Sequence, residues 1–179
     1  VFDGGNTHFW SEIAVNIAGW NGKKLGGILH PGNYSLLGVG VSFGISAKNL
    51  YPEKNVVVIS GDGAFLSGGL SVETAFQENI PITVVIDNNG GLDCISQQQE
   101  RLFNNGKHFA TDFRDIPFHS MFEGLGGYGE LVTRREEIGP AVLRAIKSGK
   151  TSCINAKCKG VISPIVAATS DKRDKASIE

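Results

Sequence analysis

The sequence predicts an α/β fold: a doubly wound, mostly parallel sheet with helices on both faces. Three observations lead there. Short runs rich in Val and Ile, Val56-Val57-Val58-Ile59 and Ile82 to Ile86, each give way to Gly or Asn, the pattern of strands buried on both faces. A stretch with helical spacing lies between them, and strand-like and helix-like segments go on alternating along the chain. The length of 179 residues suits one domain with a sizeable core.

In chain order, Val1 to Asp3 reads as the end of a first strand. Gly4-Gly5-Asn6-Thr7 then turns into a helix that carries Phe9, Trp10, Ile13, Ala14 and Ile17 at helical spacing, the mark of one apolar face. Asn6 or Thr7 offers a cap for it. His8, in the same first turn, reads as a solvated residue with no assigned role. Gly19 to Gly27 is a polar connection, and Ile28-Leu29-His30 leads into Pro31-Gly32-Asn33-Tyr34. Ser35 to Gly44 enters a helix ending near Asn49. Gly38, Gly40 and Gly44 would each weaken that helix by about 1 kcal/mol relative to alanine, so something approaches the backbone closely there; tight helix-on-sheet packing is enough for Gly44.

Tyr51 to Lys54 is a turn. The strand over 56–59 runs into Gly61-Asp62-Gly63, a helix is expected over Leu70 to Asn79 and stopped by Pro81, and the strand over 82–86 runs into Asn88-Asn89. This is one right-handed crossover unit. Gln97, Gln98 and Gln99 fall on a helix with a solvated polar face. Residues 101–114 read as an irregular loop that orders around a ligand, and His108 in it as structural or solvated. A helix over Asp115 to Gly124 puts Phe118, Met121 and Phe122 on one face. A strand (Tyr128 to Thr133), an amphipathic helix (Arg134 to Lys147, with Ile138, Val142, Ala145 and Ile146 inward) and a last strand (Thr151 to Ala156) complete the domain, taken as residues 1–158. Residues 159–179, polar and lysine-rich past Thr169, are expected to form a mobile tail.

Composition removes several function classes. A net charge of −1 gives no reason to expect nucleic acid or an acidic membrane surface as partner. No apolar run reaches the length of a membrane span and no signal peptide is visible, so a cytoplasmic location is expected. The three cysteines, Cys94, Cys153 and Cys158, are an odd number without a secretory signal, which argues against a disulfide framework. Cys153 and Cys158 are too few for a structural zinc site.

The chemistry lies in the crossover unit. Its two loops fall at the carboxyl ends of neighbouring strands, where open α/β sheets bind ligands. Asp62 and Asn89 would face each other there and offer hard oxygen atoms, which suits Mg²⁺ or Ca²⁺ better than zinc. The N–H groups of Gly63 and Ala64, leading towards a helix, can meet an anion. Together these imply a diphosphate held through a divalent cation.

Gly61-Asp62-Gly63, followed by the 24 residues 64–87 and Asn88-Asn89, resembles the signature of thiamine-diphosphate (ThDP) enzymes. The wording TAFQENIPITVVIDNNGG narrows the resemblance to the acetolactate synthase, pyruvate oxidase and benzoylformate decarboxylase branch, over roughly residues 1–158, as the C-terminal, diphosphate-binding domain. The resemblance implies that Asp62, the Asn89 side chain and the Gly91 carbonyl bind Mg²⁺, and that Gly61, Gly63 and Ala64 line the diphosphate. Asn6 and Thr7 are then candidates for diphosphate contacts. Ser35 and Leu37 match the segment that holds the aminopyrimidine: the Ser35 carbonyl would accept from its amino group, the Leu37 N–H would donate to the ring, and the Leu37 side chain would wedge between the two rings of the cofactor. Such a wedge favours catalysis by proximity. Gly90-Gly91-Leu92-Asp93 departs from the commoner Gly-Tyr-Gly of relatives, which leaves the metal ligands in place and changes the substrate side.

The same resemblance says what the chain lacks. The glutamate that activates ThDP belongs to a separate pyrimidine-binding domain, and nothing here resembles it; Glu73, Glu78 and Glu100 lie on predicted helix surfaces. No catalytic residue is therefore assigned within this chain. The expected partners are a pyrimidine-binding domain of the same or a second chain, in a homo- or hetero-oligomer, and a 2-oxo acid substrate that is decarboxylated or joined to a second carbonyl. A small subunit of a two-chain ThDP decarboxylase and a non-catalytic ThDP-binding module are the alternatives. A nicotinamide-binding domain fails for want of GxGxxG at the first strand–helix turn.

Overall fold

The computed structural model describes residues 1–103 and 107–168; residues 169–179 of the expected mobile tail lie outside them, as do residues 104–106 of the loop expected over 101–114. Five strands, β1 (Phe2–Asp3), β2 (Val57–Gly61), β3 (Thr83–Asn88), β4 (Tyr128–Val132) and β5 (Ser152–Lys157), form one sheet. The order is β1-β2-β3-β5-β4, and every neighbouring pair is parallel. The helices are α1 (Gly5–Trp20), α2 (Gly40–Leu50), α3 (Asp62–Gly68), α4 (Val72–Gln77), α5 (Asp93–Phe103), α6 (Phe118–Gly124) and α7 (Arg135–Lys147). The predicted parallel α/β sheet is what the chain forms.

Alternation along the strands sends side chains to two cores. Val58, Val84, Ile86 and Cys153 face Val41 of α2, Phe65 of α3, Ala75 of α4 and the Phe118–Phe122 pair of α6. The rings meet edge to face, Phe65 on Phe118 at 5.5 Å and Phe76 on Phe122 at 5.7 Å between centroids, a favoured aromatic geometry. On the opposite face Val85 and Ile154 pack on Ala141 and Ala145 of α7, with Ile138 and Val142 at the margin. Asp87 is two residues beyond Val85 on the same face, and Thr7 of α1 bonds to it, so α1 lies on the α7 side. Among the described residues no helix is long and apolar enough to cross a membrane.

Four local readings change. The helix expected over 70–79 is shorter, α4 at Val72–Gln77, and a further helix that was not expected, α3, precedes it across a tight turn at Gly69–Ser71. α3 begins at Asp62 itself, because an acidic residue suits a first turn, and breaks at the glycine pair Gly68-Gly69. α4 ends at Gln77, and Asn79 turns the chain at φ 54° ahead of Pro81. Gly4, at φ 105°, stands before α1 without any side-chain cap, so neither Asn6 nor Thr7 caps it.

α1 also turns over: it buries Asn6, Thr7 and His8, while Trp10, Ile17 and Trp20 are exposed. His8, read as solvated, is only 3% exposed. The apolar stripe of α1 is thus not the face that meets the sheet. Of the three glycines around α2, Gly44 does pack on the sheet: a methyl there would lie 2.6 Å from Val58 Cγ2. The mobile tail expected over 159–179 is, in its described part, packed on the domain: Trp10 Nε1 donates to the Val161 carbonyl (3.0 Å), the Ser163 N–H donates to Asn6 Oδ1 (3.1 Å), and Val166 is buried.

Candidate functional site

Parallel strands bring their carboxyl ends to one edge. Gly61 pairs with Asp87, and Asn88 with Lys157, so the loops after β2, β3 and β5 start side by side. Asp62 follows β2 directly and is 2% exposed. Its Oδ2 accepts the N–H groups of Gly90 (2.8 Å) and Gly91 (3.1 Å), and its Oδ1 accepts that of Gly63 (2.7 Å). The expected meeting of Asp62 with the Asn88-Asn89 loop is therefore made. It is the second asparagine that stands there: Asn89 Oδ1 accepts from Gly91 N–H at 3.2 Å, whereas Asn88 is buried against Asn155 Oδ1 (2.9 Å).

The 90–92 loop is held from its far side. Leu92 N–H donates to the Thr111 carbonyl and Phe113 N–H to the Gly90 carbonyl, both at 2.8 Å, and a methyl on Gly91 would lie 2.5 Å from the Thr111 oxygen. Gly90 sits at φ 82°, a left-handed conformation that glycine adopts without steric cost. Burial pushes the Asp62 carboxyl above its usual range; the Gly90, Gly63 and Gly91 amides oppose this, and the Asp87 carboxylate adds to the rise. A buried carboxylate with only neutral donors around it favours a cation.

The first turn of α1 closes one side. Thr7 Oγ1 donates to Asp87 Oδ2 at 2.7 Å, and the Cys158 thiol meets the other Asp87 oxygen. Asn6 Nδ2 reaches Gln97 Oε1 of α5 at 3.4 Å. A cavity of ≈ 350 Å³ opens between Asn6, Trp10, Asp87, Asn89, Lys159 and Val161, within the size range of small-ligand sites. Sequence reasoning missed Asp87 and Lys159. Asp87 carried a signal, since it is an acid placed directly before the asparagine pair at a strand end. Lys159 carried none beyond following the last strand.

Asp3 was missed as well, and it organises the third side. Its buried carboxylate accepts the N–H groups of Gly40 (2.7 Å) and Gly38 (3.1 Å). Gly38, at φ +89°, lies backbone to backbone against Ser67 and Gly68, and a methyl on Gly40 would lie 2.7 Å from Asp3 Cβ. The close approaches expected at Gly38 and Gly40 are therefore made by the protein's own backbone and Asp3. This leaves Leu37 half-exposed and Ser35 exposed, with Ser35 at φ 47°. Leu37 is not an ordinary core leucine.

The residues at this edge fit a hard divalent cation. Three N–H groups occupy three of about four lone-pair sites on the Asp62 carboxylate, so one stays available. Asn89 adds an amide oxygen, and the Gly91 carbonyl lies outside the two bonds that fix its loop. Gly63 N–H is already engaged by Asp62, while Gly61 and Ala64 are buried beside it.

The sequence matches the family described as thiamine pyrophosphate enzyme, C-terminal TPP binding domain, over residues 3–156. Similar proteins include a probable acetolactate synthase of Mycobacterium bovis, 33% identical over 128 residues, which cover 71% of this chain and 23% of that protein. The acetolactate synthase large subunit of Corynebacterium glutamicum is 35% identical over 122 residues, covering 65% of this chain and 19% of that one. A 2-hydroxyacyl-CoA lyase 2 of Bos taurus is 30% identical over 125 residues, covering 70% and 19%. The chain spans less than a quarter of the length of these relatives.

Proposed function

The chain belongs to the thiamine pyrophosphate enzyme family as its C-terminal, TPP-binding domain, and from that premise we propose that it holds the diphosphate of ThDP through Mg²⁺ and supplies half of an active site acting on 2-oxo acids, as in acetolactate synthase. The observation that carries the reading is the buried Asp62 carboxylate, bonded to the Gly90 and Gly91 amides beside Asn89 at the carboxyl edge of the sheet.

In this reading Asp62, Asn89 and the Gly91 carbonyl hold the cation, which keeps its remaining positions for phosphate oxygens and water. Asn6 and Thr7 orient the diphosphate from α1, and Gly61, Gly63 and Ala64 let it approach the start of α3. Ser35 and Leu37 meet the aminopyrimidine and fix the bend between the rings. Bound ThDP supplies a nucleophilic thiazolium carbon and an electron sink for cleaving or forming a bond next to a carbonyl. The residues named here bind and orient; the activating carboxylate comes from a pyrimidine-binding domain of the same or a second chain, within an oligomer. The exposed Tyr34, Leu36 and Leu37 support such a partner, because neighbouring large apolar side chains at a surface mark a face that another protein covers. The relative named 2-hydroxyacyl-CoA lyase favours a second reading of the substrate, a 2-hydroxyacyl thioester cleaved by the same chemistry.

Calorimetric titration with ThDP tests the proposal. Binding that appears with Mg²⁺ and disappears on chelation is expected. Equal affinity with and without a divalent cation, or no binding even with a pyrimidine-binding partner added, would overturn it. Leu37 gives a second check. A fully buried leucine changed to alanine costs about 2–5 kcal/mol; Leu37→Ala is expected to cost about 1 kcal/mol or less, because the side chain is 40% exposed, and yet to weaken ThDP binding about tenfold. Urea unfolding and calorimetry on the one variant separate the two effects, and a loss of stability with unchanged affinity would return Leu37 to the core.

A further inference from the structure

We propose that His8, Glu12 and His30 form a second metal site, one for a divalent transition metal such as zinc. His8 and Glu12 lie four residues apart on α1 and therefore on one face. His8 Nε2 is 3.0 Å from Glu12 Oε1, and His30 Nδ1 is 3.6 Å from the same oxygen. The two imidazole rings are 5.1 Å apart between centroids, and one ligand atom from each of the three residues lies within 4.8 Å of the others. Metal–ligand bonds of about 2.0–2.2 Å in tetrahedral geometry hold neighbouring ligand atoms roughly 3.3 Å apart. The two His–Glu distances fall on either side of that value, and the two imidazole nitrogens, within 4.8 Å of each other, have to draw together by at most about 1.5 Å to close on an ion.

The backbone places these groups. Phe2 N–H donates to the Leu29 carbonyl at 2.9 Å, so the chain just before His30 is pinned to β1 beside α1. His8 is buried and stacked on Phe9 at 5.3 Å, and Glu12 and His30 are part-exposed, which gives a metal a way in. The Gly32 N–H also points at His30 Nδ1, at 3.2 Å, and binding exchanges that bond for the metal or turns Nε2 towards it.

Ligand type separates this site from the one at Asp62. Two imidazoles and one carboxylate suit zinc, cobalt or nickel, whereas an all-oxygen set suits Mg²⁺. Three protein ligands leave the fourth position to water. An ion here ties α1 to the segment that runs into Ser35 and Leu37, so its occupancy sets how firmly that segment is held.

Cobalt(II) is the probe, because its visible absorption reports coordination. Metal-stripped protein titrated with Co²⁺ is expected to take one equivalent with bands of tetrahedral intensity, displaced by Zn²⁺. No near-ultraviolet thiolate band should accompany them; its presence would assign the metal to Cys94 or Cys158 and overturn the proposal. Glu12→Gln and His30→Gln are expected to weaken binding at least tenfold, and Asp62→Asn to leave it unchanged. His30 is part-exposed, so its variant keeps the test valid where a change at buried His8 would disturb folding. Zn²⁺ should also raise the Tm of the native chain and leave that of His30→Gln where it was. A flat titration, or bands that persist in His30→Gln, would reduce the cluster to a His8–Glu12 hydrogen bond with His30 beside it.

Discussion

Replacing Asp62 by alanine is expected to abolish Mg²⁺-dependent ThDP binding and to destabilise the fold at the same time. The structure gives the carboxylate one task, and the proposed function gives the same atoms a second. It ends the N–H groups of Gly63, Gly90 and Gly91, and in the proposed function it carries the negative charge that meets the cation. Hydrogen bonds to a charged group contribute about 1.5–3 kcal/mol each. With water entering the space left behind, a net loss of about 3 kcal/mol is expected in urea unfolding. For binding, removing one partner of a buried charge pair costs about 2–5 kcal/mol, which is roughly 30-fold to several thousand-fold in affinity.

Asp62→Asn separates the two tasks. It keeps the shape and one acceptor oxygen but turns an amide N–H towards a backbone donor and removes the charge. It should lose the Mg²⁺ requirement and most of the affinity while keeping more of the stability than the alanine variant. An asparagine variant that binds ThDP and Mg²⁺ with native affinity would show that the cation is held elsewhere.

Asp62 and Asn89 were legible before any coordinates because two strong signals coincide. Buried parallel strands write themselves as Val/Ile runs, and the residue that ends each run must sit at the ligand-binding edge. The alternation of strand-like and helix-like segments gave the five-stranded sheet, and helical spacing gave the placing of Phe118 and Phe122. These signals failed where a side chain's role depends on a partner far away in sequence. Asp3 looks like any strand-end acid, and only the return of the chain at Gly38 and Gly40 makes it an anchor. Asp87 gains its meaning from Thr7, 80 residues earlier. α1 misled because helical spacing of apolar residues states that a face is apolar and not what covers it: Asn6, Thr7 and His8 are buried, and Trp10, Ile17 and Trp20 are left outward. The start of α3 was hidden by its glycines, which weaken helix propensity although the loop geometry begins the helix at once.

Adding one methyl group at Gly68 is expected to disturb the fold and the cofactor site together. A Cβ on Gly68 would lie 2.2 Å from the Gly38 carbonyl oxygen and 2.9 Å from its carbon, and a Cβ on Gly38 would lie 2.8 Å from the Gly68 nitrogen. These are backbone atoms, so no side-chain rotation relieves the overlap. One of the two chain segments must move. Overpacking costs about 1–3 kcal/mol where side chains can adjust, and with backbone on both sides Gly68→Ala is expected at or above the upper end of that range. The contact joins the end of α3, whose first residue is Asp62, to the residue after Leu37. It therefore fixes the distance between the diphosphate side of the site and the ring side. Displacing Gly38 also pulls on Asp3, whose carboxylate holds both Gly38 and Gly40. ThDP affinity should fall by about tenfold or more, even though residue 68 touches no part of the proposed cofactor site. Gly22→Ala is the control. Gly22 has a left-handed φ of +76° but open space around it, so the change carries only the conformational cost of roughly 1–2 kcal/mol and should leave ThDP binding unaltered. Urea unfolding of both variants decides the matter: if Gly68→Ala costs no more than Gly22→Ala, the backbone-to-backbone contact does not hold the two halves of the site in place.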